Sequence, residues 1–275
     1  PGCDDAVGHA VDHLMYLVSV PQYWPNITQM FKLCTFFNGY NPNDQANFFQ
    51  SLAGNFEGIV QYNKDNRLSG MSKDITIDTL CDMMLDTTIG IPLERFAAVN
   101  TLLLDSGPCL SFNYDNFIST LKRTDLYNKD APGARQWTYQ TCVEFGYFQS
   151  SDYPGQPFGS LFPVKFFVQQ CKDIFGEKFD AQLLNSSIVR TNTEYGSIQP
   201  QLRNVTFPNG SIDPWHALGI DESLADDVTA IYIEGTAHCA DMYPASDDDP
   251  PQLVEARNKI EEQVKKWIGV SENVQ

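Results

Sequence analysis

Residues 203–216 read RNVTFPNGSIDPWH, and residues 228–242 read VTAIYIEGTAHCADM. Each stretch begins with a short run rich in β-branched and apolar residues and then enters a loop that contains glycine, which is typical of a β-strand. Residues 251–270 predict an amphipathic helix. Strand, loop, strand, loop and helix is the order found in a parallel α/β sheet. Two strands do not form a stable sheet alone, so either further strands come from outside this chain or the strand assignment is wrong.

An aspartate and a histidine follow the two predicted strands. Asp213 lies in the loop after the first strand, and His238 lies in the loop after the second, 25 residues later. Chemistry in open parallel sheets sits at the carboxyl ends of the strands. The order matches the last part of the Ser…Asp…His series of α/β-hydrolases, in which histidine takes the serine proton and the carboxylate orients the imidazole. By spacing alone, a turn aspartate and a structural histidine remain the alternative.

The first two-thirds of the chain predict helices that pack as a compact bundle. Apolar residues recur there at intervals of three and four. The predicted helix starts are Asp4 or Asp5, Asp44, Ile77, Pro92 and Pro163. Pro21 and Gly176 are expected to end the first and the last of these helices.

The composition excludes several classes of function. Lys and Arg number 18 against 35 Asp and Glu, which gives a net charge of −17 and disfavours binding to nucleic acid. The apolar runs are far shorter than the roughly 18 residues that a membrane span needs. The acidic residues 247–249 are expected to form a solvated turn.

The cysteines and glycosylation sequons point to the secretory pathway. Seven cysteines lie 28 to 68 residues apart with no C-x-x-C pair, which suits disulfides better than zinc. Four N-x-S/T sequons begin at Asn26, Asn185, Asn204 and Asn209. We therefore expect a secreted or lysosomal protein. The start at Pro1 is interpreted as a processed or truncated end.

A metal site is not expected. His9 and His13 have the i, i+4 spacing of helical zinc ligands. On a helical projection, however, both imidazoles point away from the apolar stripe, so two solvated polar residues are the preferred interpretation.

The stretches NGSIDPWHALG (209–219) and EGTAHCADMYP (234–244) resemble the C-terminal end of the serine peptidase family of prolyl carboxypeptidase, dipeptidyl peptidase II and thymus-specific serine protease. WTYQTCVEFGYFQ (137–149) and TNTEYG (191–196) are most similar to the thymus-specific branch. The resemblance covers essentially the whole chain. It implies an α/β-hydrolase fold in which residues 1–195 form a helical cap with disulfides. Residues 196–275 would be the C-terminal segment of the hydrolase domain.

The resemblance also implies a catalytic triad that this chain does not complete. Asp213 and His238 match the family's catalytic residues, but the Gly-x-Ser-x-Gly motif of the nucleophile does not occur in these 275 residues. Cys239 is a poor substitute, because neighbouring side chains usually point apart. We expect the N-terminal portion of the same protein to supply the serine and most of the sheet, peptides as substrates, no cofactor, and a homodimer as one option. The alternatives are a non-catalytic secreted relative that acts as a binding or antigen-like protein, and an independent cap module.

Further site residues follow from the resemblance. It implies the disulfides Cys3–Cys81, Cys34–Cys109 and Cys142–Cys171 and leaves Cys239 unpaired, whereas spacing alone allows many pairings. Trp215 matches an aromatic residue of a proline-accepting pocket, the alternative being a core tryptophan. Phe145 and Tyr147 are expected to face the same pocket, and Glu144 is a candidate for binding a peptide amino terminus. Glycans are expected on Asn26, Asn185 and Asn204, but not on Asn209, where a glycan would crowd the catalytic loop.

Overall fold

The computed structural model describes residues 2–66, 75–104, 107–125 and 133–269. The chain forms two compact units. The first consists of Pro1–Asn55 and Leu80–Glu194, and the second of Phe56–Thr79 and Tyr195–Gln275. The assignment of residues 1–195 to a helical cap and of residues 196–275 to the hydrolase domain stays a prediction. Phe56–Thr79 differs from the prediction, which placed all of residues 1–195 in the cap.

Ten α-helices and two β-strands are seen in the described residues. The helices are α1 (Cys3–Val18), α2 (Trp24–Met30), α3 (Pro42–Gln61), α4 (Ile77–Leu85), α5 (Pro92–Leu103), α6 (Tyr114–Lys122), α7 (Ala134–Gln140), α8 (Val164–Phe175), α9 (Ala181–Tyr195) and α10 (Pro251–Trp267). The strands are β1 (Val205–Gly210) and β2 (Val228–Ile233). None of these helices is both long and apolar enough to cross a membrane.

Proline and glycine residues mark the ends of two helices in the first unit. The helix α5 begins at Pro92, and Pro163 is the residue that precedes α8, as their fixed φ angles favour. Gly176 ends α8 with a φ of 112°, which a residue with a side chain rarely adopts.

Two of the predicted helix starts are wrong. The helix α1 begins at Cys3 after Gly2, so Asp4 and Asp5 lie inside its first turn, where negative charge favours the helix dipole. The helix α3 begins at Pro42. Asp44 lies in its first turn, and its carboxylate accepts the N–H of Tyr114 at 2.7 Å. These carboxylates therefore stabilise the helix starts without being the capping residues.

Aromatic rings and disulfides hold the first unit together. The fully buried ring of Phe48 contacts those of Phe31, Phe37 and Phe112 edge-on or tilted, with centroids 5.3–5.9 Å apart, and Phe37 also contacts Phe112. Each buried ring contributes on the order of 2–3 kcal/mol by leaving water. The structure contains the three disulfides that the resemblance implies, Cys3–Cys81, Cys34–Cys109 and Cys142–Cys171, and leaves Cys239 free. His9 and His13 are exposed.

The second unit is built around a parallel strand pair. The strands β1 and β2 pair in register from Val205 opposite Val228 to Gly210 opposite Ile233. The helix α10 packs on this pair through a buried cluster of Ile233, Ala240, Leu253 and Ala256. Two strands are present within the described residues, which agrees with the expectation that the sheet is incomplete in this chain.

Candidate active site

Asp213 is fixed at the carboxyl end of β1. Its N–H donates to the Gly210 carbonyl at 3.2 Å, and it precedes the short helical turn Pro214–Leu218. The side-chain oxygen Oδ1 accepts the N–H of Trp215 at 2.9 Å, which is the standard role of an aspartate at a helix start. The residue is 7% exposed. One carboxylate oxygen is therefore used by the turn, and the other remains available.

His238 is held by its backbone in the loop after β2. Its N–H donates to the carbonyl of Gln61 at 3.0 Å, and its own carbonyl accepts the hydroxyl of Tyr243 at 3.3 Å. The next residue, Cys239, has a φ of 58°, so the chain turns sharply there. Contacts on both sides of the residue thus fix the backbone position from which the imidazole projects.

The structure brings Asp213 and His238 together. Nδ1 of His238 lies 2.8 Å from Oδ2 of Asp213, with 26% and 11% of the two side chains exposed. A carboxylate at Nδ1 favours the tautomer in which Nδ1 carries the proton, so Nε2 is left as the base. Within the residues that the structure describes, Nε2 has no hydrogen-bond partner. The pair can therefore accept a proton at Nε2 and stabilise the resulting imidazolium.

Gly210 allows the two loops to approach so closely. A Cβ atom at this position would lie 2.8 Å from the Ala237 carbonyl oxygen and closer still to that of Thr236. The Thr236 carbonyl instead accepts the N–H of Ile212 at 3.2 Å. Because only glycine fits here, replacing it would force apart the loops that carry Asp213 and His238.

Trp215 lies beside His238, with ring centroids 6.0 Å apart. Its indole N–H donates to the side-chain oxygen of Gln61 at 3.0 Å. The ring of Tyr62 contacts His238 on an edge, at 5.7 Å. Gln61, the last residue of α3, and Tyr62, which follows it, are site residues that the sequence does not predict. The helical pattern shows that a face of α3 is buried but not what covers it.

Cys239 is poorly suited to act as a nucleophile. The residue is exposed, yet partial desolvation raises the pKa of its thiol, and the negative charges of Asp213 and Asp241 raise it further. A thiol with a raised pKa is protonated at neutral pH and reacts slowly. The structure therefore supports the interpretation that Cys239 does not replace the serine.

The remaining substrate-binding candidates belong to the first unit. Glu144 lies in the helical turn Thr141–Phe145, and its carboxylate accepts the hydroxyl of Thr191 at 3.1 Å. Tyr147 is 45% exposed and stacks on Phe145 with ring centroids 4.9 Å apart. Contact of these residues with a substrate stays a prediction.

The sequons differ in how available their asparagines are. Asn26, Asn185 and Asn204 are exposed, as a glycan requires. The side chain of Asn209 is half-buried and donates to the Ile220 carbonyl at 2.9 Å. Glycosylation of the first three stays a prediction.

In the described part of the chain, no group of three or more His, Cys, Asp or Glu residues could hold a metal ion.

Comparison with known proteins agrees with this geometry. Residues 1–260 match the family described as Serine carboxypeptidase S28. The thymus-specific serine protease of Mus musculus is 31% identical over 82% of this chain and 44% of that protein. The human thymus-specific serine protease is 30% identical over 84% of this chain and 45% of that protein. The lysosomal Pro-X carboxypeptidase of Mus musculus is 26% identical over 50% of this chain and 27% of that protein.

Proposed function

Because this chain belongs to the serine carboxypeptidase S28 family, whose members are α/β-hydrolase serine peptidases, we propose that it is the C-terminal part of a serine exopeptidase. The observation that carries the proposal is the hydrogen bond between His238 and the nearly buried carboxylate of Asp213 at the ends of two parallel strands. The nucleophilic serine comes from the N-terminal portion of the same protein.

The chemistry follows from the orientation of His238. Its Nε2 takes the proton of the serine hydroxyl as the oxygen attacks the scissile carbonyl carbon. The imidazolium then gives this proton to the leaving amine as the peptide C–N bond breaks. Water then attacks the acyl-enzyme: Nε2 takes a proton from the water and gives it to the serine oxygen as the ester C–O bond breaks, which releases the carboxylic acid and restores the serine. Asp213 stays ionised throughout and stabilises the imidazolium.

The N-terminal portion is proposed to complete the sheet. The chain spans about half the length of the curated relatives it matches. On the outer edge of β2, the Ala230 N–H donates to the Ser223 hydroxyl, and Leu224 donates to the Val228 carbonyl. Within the described residues, β1 pairs with β2 alone. The outer edge of β1 is therefore the place for an additional strand, and residues 1–275 expressed alone should be poorly soluble or molten.

The substrates are proposed to be short peptides with a proline-related preference. One relative is named a Pro-X carboxypeptidase. In this chain Trp215 offers an aromatic surface next to His238, held in place by Gln61. Tyr147 and Glu144 of the first unit are proposed as further peptide-binding residues, Glu144 through the peptide amino terminus. Three disulfides and a relative named as lysosomal support a secreted or lysosomal location.

Labelling with a fluorophosphonate probe tests the proposal. Protein from its natural source is treated with the probe, and the labelled peptide is mapped by mass spectrometry. We expect the label on a serine of the N-terminal portion, and H238A should abolish it. A label on a serine within residues 1–275 would mean that the nucleophile has been misassigned. No label, with trypsin labelled normally in parallel, would favour a non-catalytic binding protein and overturn the proposal.

A further inference from the structure

Arg257 on α10 binds three carbonyl groups of the loop that follows His238. Nη2 donates to the Ala240 carbonyl at 3.0 Å and to that of Tyr243 at 2.8 Å. Nε lies 3.4 Å from the carbonyl of Asp241. A single planar side chain thus holds the helical turn Ala240–Met242 from one side.

The guanidinium is itself fixed by a buried ion pair. Nη1 lies 2.5 Å from Oδ2 of Asp249, and 18% of the Arg257 side chain and 1% of the Asp249 side chain are exposed. Asp249 also accepts the N–H of Ser246 and the amide of Asn66, and Asn66 donates to the same Ala240 carbonyl. The prediction of a solvated turn over residues 247–249 is therefore wrong for Asp249. It failed because the partner, Arg257, lies in the next helix.

The turn held by Arg257 connects directly to His238. One residue, Cys239, separates His238 from the turn Ala240–Met242. The Tyr243 hydroxyl donates to the His238 carbonyl, and the carbonyl of Tyr243 accepts from Arg257. A displacement of this turn would therefore move the His238 backbone. The 2.8 Å bond from Nδ1 to Asp213 leaves little room for such a movement.

We propose that Arg257, held by Asp249, is a positioning residue that sets the distance between the His238 imidazole and the Asp213 carboxylate. The inference rests on the proposed function, because it assigns the geometry of the same Asp–His pair. It adds a group that touches neither the substrate nor the imidazole and acts through backbone carbonyls alone. Separating a buried ion pair is costly, so Asp249 holds the guanidinium in the position from which it donates to the three carbonyls.

Lysine cannot replace arginine in this role. The guanidinium presents five N–H donors in a rigid plane, whereas an ammonium is a single point of charge. Arg257→Lys would keep the positive charge beside Asp249 but could not bind Ala240, Asp241 and Tyr243 together. The loop would then relax while the charge balance stayed the same.

The expected consequence is a change in the proton affinity of His238. Asp213 from the loop after β1 bonds the imidazole, and the ring of Tyr62 from the residue after α3 contacts it. The other titratable residues of the His238 loop are Cys239, Asp241 and Tyr243, whose hydroxyl bonds the His238 carbonyl. Asp213 is the carboxylate in direct contact. Since its negative charge stabilises the imidazolium, a longer distance between the two would let His238 lose its proton at lower pH.

The test compares R257K with R203K in the complete protein. Arg203 is exposed and belongs to the same unit, so R203K shows the effect of replacing an arginine by lysine at a position away from the turn. We expect R257K to lower kcat by about 10- to 100-fold with KM within about twofold, since a small misplacement of a catalytic group is enough for that loss. The acidic limb of the kcat/KM profile should move to lower pH by about half a unit or more. R203K should change neither.

Titration of the histidine ring by NMR gives a readout that does not need activity. H238A assigns the resonance among the four histidines, and R257K should shift its midpoint to lower pH. A kcat that falls only with the folded fraction, with both titrations unmoved, would overturn the positioning role. If R257K fails to fold, N66A weakens the same turn from the other side and must give a shift of the same sign. A wild-type protein without peptidase activity would refute the proposed function, while the NMR shift would still decide the role of Arg257.

Discussion

Gln61 and Trp215 lie 154 residues apart in the chain, and the indole N–H of Trp215 donates to the side-chain oxygen of Gln61 at 3.0 Å. The backbone carbonyl of the same Gln61 accepts the N–H of His238 at 3.0 Å. One residue at the end of α3 therefore contacts both loops of the Asp–His pair. This explains physically why Phe56–Thr79 belongs to the second unit.

Gln61→Leu should destabilise the complete protein by about 1–3 kcal/mol, because it removes the acceptor of a partly buried hydrogen bond. Urea unfolding followed by tryptophan fluorescence measures the loss. Gln182→Leu is the control, since Gln182 is exposed on α9. Equal stability of the two variants would show that the bond to Trp215 contributes nothing.

His238→Ala in the complete protein should lower turnover by about 10³-fold or more, because no other group would take the serine proton. Circular dichroism should stay unchanged, since the side chain is partly exposed. His13→Ala, at an exposed position of α1, should retain full activity. Peptidase rates for H238A equal to those of the wild type would remove the mechanism.

Replacing Cys142 and Cys171 together by serine should lower the free energy of unfolding. The bond joins residues 29 apart, and closing such a loop restricts the unfolded chain by roughly 3–4 kcal/mol in the chain-entropy model. Thermal unfolding measures the difference, with Cys239→Ser as a control that removes a free thiol. Peptide mapping without reduction should show Cys142 linked to Cys171, and either thiol found free would contradict the pairing.

Glu57, on the part of α3 that belongs to the second unit, should make stability depend on pH. Burial raises its pKa from 4.5 to about 7. Above about pH 4.5 the unfolded chain releases this proton while the folded protein still holds it. The free energy of unfolding therefore falls by up to about 3 kcal/mol as the pH rises to about 7, and the contribution of Glu57 is constant above that pH.

Glu57→Gln tests this dependence, because glutamine resembles the protonated acid. Urea unfolding of the variant and the wild type should differ little near pH 5. The variant should be more stable at pH 8, with the gap growing by about 2 kcal/mol between these conditions. Glu222→Gln, at an exposed position of the same unit, should show no such growth. A constant gap for E57Q would mean that Glu57 is ionised in the folded protein at pH 5.

The sequence predicted the elements of the second unit more fully than its contacts. Residues 203–208 and 228–234 predicted strands that lie at Val205–Gly210 and Val228–Ile233, because β-branched apolar runs and glycine loops are local signals. The convergence of Asp213 and His238 also followed, since parallel strands end at the same edge of a sheet.

The contacts from distant parts of the chain could not be predicted in this way. Apolar periodicity shows that a helix buries a face but not which residues cover it, so Gln61 and Tyr62 were assigned to the cap. Likewise, the run at residues 247–249 reads as solvated until Arg257 is brought to Asp249 by the fold. The sequence left open whether Trp215 is a core residue. The structure shows it partly buried and next to His238.

The disulfides Cys3–Cys81 and Cys34–Cys109 overlap along the chain, because Cys34 lies inside the first loop and Cys109 beyond it. A protease that cuts the backbone anywhere between Cys3 and Cys109 therefore leaves the two fragments covalently joined. Such a nicked protein would run as one band on a gel until it is reduced. A single cut in this range therefore releases no piece of the chain.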